Sequence, residues 1–134
     1  MEELKLSVSK RRKVLVHMYY RYLLMSSSEE YIKQDILDEI QAQVDEDTAT
    51  MANDINSKLE ELIEEVETHL SEKWRWERLP ALIGAILVVG TYEIKHTDAP
   101  KAVIANEMTE LTKEFEPDFD HKFVNAVLDK IIKL

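Results

Sequence analysis

Apolar and polar positions in this chain recur with the period of a helix. Across residues 48–70, Ala52, Ile55, Leu59, Leu62, Ile63, Val66 and Leu70 return every three or four positions, and Glu60, Glu61, Glu64, Glu65 and Glu67 fill the positions between. One stripe is built for burial and the opposite face for water. A first helix is expected from residue 7 or 9 to 25, with Ser7 or Ser9 as N-cap and Val8, Leu15, Met18, Tyr19, Tyr22 and Met25 on its stripe. The run SSS at 26–28 breaks it. A second helix is expected over 29–44, using Tyr31 or Ile32, Ile36, Leu37 and Ile40, and DEDT then caps the third.

The segment LPALIGAILVVGTY, residues 79–92, carries no charge at all. It is too short to cross a bilayer and is bracketed by Glu77, Arg78 and Glu93, so it reads as a buried helix that starts at Pro80 and ends near Lys95. HTDAP makes the next connection, with Thr97 or Asp98 as cap of a fifth helix over 100–115, and EPD precedes a last helix over 119–133. The pattern predicts a single all-α domain of about six to seven helices spanning 1–134.

Composition agrees. Only two glycines and three prolines are available for turns, and 45% of residues are apolar. The absence of cysteine removes disulfides and thiol chemistry and fits a cytoplasmic protein. No signal-peptide pattern follows the basic residues near the start. Charge is segregated: residues 1–25 hold six Lys/Arg against two acids, residues 26–72 two against fifteen, and residues 73–134 nine against ten. The net charge of −10 argues against indiscriminate coating of nucleic acid, while its uneven distribution points to separate partners at separate surfaces.

Enzyme chemistry finds no footing. His17, His69, His96 and His121 are scattered without metal-ligand spacing, and Gly84 and Gly90, both inside the apolar helix, form no phosphate loop. Their expected role is close approach of a neighbouring helix. Exposed carboxylates lack the burial that would make them acids or bases. Neither catalysis nor a cofactor or metal is expected.

Binding surfaces are more informative. On a helical wheel, Lys10, Lys13, His17, Tyr20 and Arg21 share the side of the first helix away from its stripe, flanked by Arg11 and Arg12. SKRRK thus offers up to four cations to one strand of phosphates, or it simply solvates the helix. On the last helix, Val124, Val127, Leu128 and Ile131 centre the stripe, and Phe123 falls at its margin beside Lys122, Ala126 and Lys130. A ring for a base and cations for a backbone are the parts of a single-strand site. A core ring with snorkelling lysines has the same pattern.

The second half of the chain resembles the NusB family of transcription antitermination factors. The resemblance runs through Trp74, Glu77 and Arg78, then AILVVGTYEI (85–94), Pro100, VIANEMTELTKEF (103–115) and HKFVNAVLDKI (121–131). SKRRKVLVHMYYRYL is similar to the family's Arg-rich first helix, with Arg11, Leu15 and Tyr19 at family positions. The resemblance implies a NusB-like fold of two small three-helix bundles. It also implies binding of boxA-like single-stranded RNA with the ribosomal protein NusE, within the RNA polymerase antitermination complex. RNA contacts are then expected from Lys10, Arg11, Arg12, Lys13, His17, Tyr20, Lys122, Phe123, Asn125 and Lys130, brought side by side into one groove. If about five phosphates are neutralised, the log–log salt slope is expected near −3.5. Partner contacts are expected from Trp74, Glu77, Arg78, Ile83 and Val88.

Departures from the family pattern are specific. Ile83 and Gly84 stand where the family usually has an acid and a base, Val88 replaces an arginine, Arg12 a glutamate and Ala126 a glycine. A helix without charge on any side is enclosed by its own fold or covered by a partner. The second possibility defines an alternative function: a protein-interaction module or homodimer, built on 79–92, that has lost RNA binding. The helical head of an RNA cytosine methyltransferase shares the pattern, but 134 residues leave no room for its cofactor domain.

Overall fold

An uncharged helix has to be surrounded, and the architecture follows from that requirement. The computed structural model describes residues 6–25 and 45–132. Six α-helices lie within them: α1 (Val8–Met25), α2 (Glu46–Ser57), α3 (Leu59–Thr68), α4 (Ala81–His96), α5 (Lys101–Phe115) and α6 (His121–Asp129), with a single 3-10 turn at Trp76–Arg78. The expected helix over 29–44 lies outside the described residues. Those described form no strand, and the all-α expectation holds.

Helix α4 is the hub. Every residue from Leu82 to Ile94 is buried, because α1, α3, α5 and α6 all pack against it. Each buried Leu, Ile or Val contributes roughly 1.5–3 kcal/mol, and α4 supplies seven such residues, from Leu82 to Ile94. Pro80 sits at its N-cap, where the missing N–H costs nothing. Both glycines give neighbours room. A Cβ at Gly90 would meet Leu128 at 3.0 Å and Met108 at 3.3 Å, so α5 and α6 close on α4 there. A Cβ at Gly84 would meet the Trp76 indole at 3.0 Å, so in that case the neighbour is a ring from the 3-10 turn.

Several boundaries differ from expectation. The helix expected over 48–70 is broken at Lys58, whose backbone N–H reaches Asp54 O and Ile55 O and whose φ of −112° is not helical. Its apolar stripe nevertheless continues through the break, and Ala52, Ile55, Leu59, Leu62 and Val66 are all buried. Pro100, not Thr97 or Asp98, caps α5. Helix α6 is shorter than the expected 119–133: Asp120 accepts a hydrogen bond from the Lys122 N–H at its start, and Lys130 N–H turns to Val127 O at its end.

Ties between helices are specific. The Tyr19 hydroxyl donates to Ala52 O at 2.8 Å, and the Tyr92 hydroxyl donates to Asp54 Oδ2 at 2.7 Å. Asp45 caps α2 by accepting from Thr48 N–H and also accepts the Leu6 N–H, both at 2.9 Å. No helix among the described residues is long and apolar enough to cross a membrane.

Candidate nucleic-acid interface

The four cations of SKRRK diverge. Lys10 points to solvent at the start of α1, where Ser7 caps its N–H. Arg11 turns to α2, with Nη1 on Met51 Sδ at 3.7 Å and Nη2 3.7 Å from Asp47. Lys13 leans the other way, onto α5, 3.4 Å from Glu114.

Arg12 points inward, which corrects its expected role as an RNA contact. Its side chain is 2% exposed; Nε donates to Glu93 Oε2 of α4 at 2.6 Å and Nη1 donates to Glu107 of α5. Burial works against its charge, and the two carboxylates outweigh burial and raise its pKa. Burial likewise pushes Glu93 above the usual carboxylate range, against the pull of Arg12. A guanidinium so occupied is unavailable to phosphate. The spacing of Arg12 with Leu15, Val16 and Tyr19 already marks the buried face of α1, since those three are buried too.

On α6, Phe123 joins a cluster of three rings. Its centroid is 5.6 Å from Trp74 and 5.7 Å from Phe119, and Trp74 and Phe119 lie 5.6 Å apart. All three residues are half-buried and pack against the hydrophobic core. Lys122 and Lys130 beside Phe123 are exposed. Asn125 lies on the opposite flank of α6, where it lines a groove against α5 together with Lys122.

The two cation patches do not form one continuous groove, as had been expected. Helix α5 stands between them. Its one flank faces α1 through Glu107 and Glu114, its other flank faces α6 through Asn106, Thr109 and Lys113, and Glu110 lines both grooves. The ring surfaces instead approach each other around the end of α5. His17 of α1 meets Phe115 edge-on at 5.0 Å, and four residues later Phe119 begins the cluster that includes Phe123. His17 is exposed and Tyr20 half-buried.

The expected partner residues separate as well. Glu77 and Arg78 are exposed on the 3-10 turn, and Trp74 belongs to the ring cluster. Ile83 and Val88 are 0% exposed, so neither can touch a partner. Their apolar character is explained by enclosure within the chain's own fold. The same fact removes the surface on which the alternative, a module associating through 79–92, was based. Among the described residues, no group of His, Asp and Glu side chains is gathered to hold a metal.

Residues 9–133 match the sequence profile described as the NusB family. A Campylobacter lari protein named transcription antitermination protein NusB is 36% identical over 124 residues, covering 91% of this chain and 92% of that protein. A protein of the same name from Macrococcus caseolyticus is 40% identical over 83 residues, an alignment that takes in 62% of this chain and only 63% of the relative. Among solved structures, T. maritima NusB superposes with a TM-score of 0.78 at 26% identity, covering 96% of this chain and 92% of that one.

Proposed function

The chain belongs to the NusB family of non-enzymatic transcription antitermination factors, and on that premise we propose that it is a cytoplasmic RNA-binding adaptor. It captures boxA-like single-stranded RNA together with the ribosomal protein NusE and delivers both to the antitermination complex of RNA polymerase. The observation that carries this reading is the ring cluster of Phe123, Trp74 and Phe119, half-buried and bordered by the exposed Lys122 and Lys130. A ring accepts any unpaired base by stacking, and cations beside it hold the backbone.

Lys10, Lys13, His17 and Tyr20 supply a second cationic contact on α1. Glu114 does not close it to RNA, because an exposed ion pair of this kind is worth about 0–1 kcal/mol and yields to phosphate. With Arg12 committed internally and Arg11 engaged by α2, the cations left for phosphate are Lys10, Lys13, Lys122 and Lys130. The expected log–log salt slope accordingly falls to about −3. Glu77 and Arg78 remain as contacts for the protein partner.

The test is a pull-down of the chain by NusE, with and without a boxA oligonucleotide, comparing wild type with Phe123→Ala. Loss of capture confined to the RNA-containing sample supports the reading. Equal capture of both proteins in both samples returns Phe123 to a packing role and contradicts it.

A further inference from the structure

Helix α5 carries two grooves of opposite character. The one shared with α1 is small, about 190 Å³, and is lined by Glu107, Glu110 and Glu114 with a single lysine, Lys13. Such a groove repels a polyanion. The one shared with α6 is about 700 Å³; three lysines, Lys101, Lys113 and Lys122, line it against two acids, Glu110 and Asp129, together with the polar Asn106, Thr109, His121 and Asn125. That volume lies within the roughly 300–1,000 Å³ of pockets that hold small ligands.

The polar groups in the larger groove are available. Asn106 and Asn125 are both exposed, and among the described residues neither amide has a hydrogen-bond partner. Each offers two donors and an acceptor. The Thr109 hydroxyl donates to Ala105 O at 2.7 Å, which leaves its oxygen free to accept. Lys113 is paired with exposed Glu110, at 3.2 Å, and can be surrendered to a phosphate.

Stacking on the Phe123 cluster carries little sequence information, because every base has a π face. Discrimination has to come from groups that hydrogen-bond base edges. Asn125, two residues from Phe123 and on the opposite flank of α6, lines this groove with Lys122.

We infer that the α5–α6 groove is the base-reading subsite of this protein, in which Asn106 and Asn125 bind the hydrogen-bonding edge of an unpaired base while Lys113 and Lys122 hold the adjoining phosphates. This rests on the RNA-binding reading above and adds Asn106 and Lys113 to it. A strand crossing the start of α6 stacks on one flank and is read on the other.

The experiment is fluorescence anisotropy with labelled single-stranded oligoadenylate, oligocytidylate and oligouridylate of equal length. It compares wild type, Asn106→Ala, Asn125→Ala, Lys113→Ala and Phe123→Ala, with helix content followed by circular dichroism. Wild type is expected to rank the three oligonucleotides. Asn106→Ala and Asn125→Ala are each expected to compress the spread between best and worst by roughly five- to hundred-fold. Lys113→Ala is expected to weaken all three alike and to lower the salt slope by about 0.7. Phe123→Ala is expected to weaken all three while keeping the ranking. Equal wild-type affinity for the three, or an unchanged ranking in both asparagine variants, overturns the inference while leaving RNA binding intact. Absence of wild-type binding to all three overturns the RNA-binding reading itself.

Discussion

Arg12 and Glu93 meet at 2.6 Å with side chains only 2% and 3% exposed, joining α1 to α4 across 81 residues of sequence. Glu107 closes the network from α5. Neither ion has water to fall back on, so the pair is costly to break from one side.

Arg12→Met is therefore expected to lose about 3–5 kcal/mol of stability, because it leaves Glu93 buried and uncompensated. Arg12→Met combined with Glu93→Leu is expected to recover a large part of that loss. Urea denaturation of the two variants checks this. Equal midpoints for wild type and Arg12→Met would mean the network contributes nothing.

The two glycines of α4 should respond differently to a methyl group. At Gly90 the new Cβ presses on Leu128 and Met108, both fully buried, so Gly90→Ala is expected to cost about 1–3 kcal/mol through overpacking. At Gly84 it meets the half-buried Trp76 ring, which can shift outward. The gain of up to about 1 kcal/mol in helix propensity then offsets most of the clash. Thermal melts of both variants test the order, with Gly90→Ala the lower.

Asp45 sets an acid limit on the α1–α2 junction. Burial raises its pKa, but the hydrogen bonds from Thr48 and Leu6 and the charge of Arg11 outweigh that and hold the carboxyl below its ordinary value. A carboxylate depressed in the folded state contributes stability that is present above its unfolded pKa of about 4. That contribution is lost as pH falls through the folded value. Asp45→Ala is thus expected to cost about 0.5–2 kcal/mol at pH 7, with a gap from wild type that narrows as the pH drops below about 4. A constant gap across that range would exclude this titration as the source.

Much of the fold was legible because hydrophobic period and burial are local. The uncharged run at 79–92 announced a helix buried all round, and Leu82 to Ile94 are buried as that requires. The break at Lys58 was not legible, since Ile55, Leu59 and Leu62 keep one stripe through it and nothing in the spacing marks the turn. At Arg12 residue type and helix position point opposite ways, the charge outward and the register inward. Its spacing with Leu15, Val16 and Tyr19 marks an inward face, while Glu93 and Glu107, which make burial tolerable, lie 81 and 95 positions away. The site was legible in its parts but not in its layout. Phe123 and Asn125 are two residues apart in sequence and fall on opposite flanks of α6, and the acidic flank of α5 between the cation patches appears only in three dimensions.

The central claim is that exposed cations beside the Phe123 cluster hold an unpaired RNA strand. The most direct measurement is an anisotropy titration of boxA-like single-stranded RNA over a series of salt concentrations, with wild type and Phe123→Ala. The expected result is a log–log slope of about −3 to −3.5 for both proteins, from four phosphates or five with Lys113, with the variant weaker by about 1–3 kcal/mol at every salt concentration. Affinity indifferent to salt, or a variant that binds as tightly as wild type, would contradict the claim.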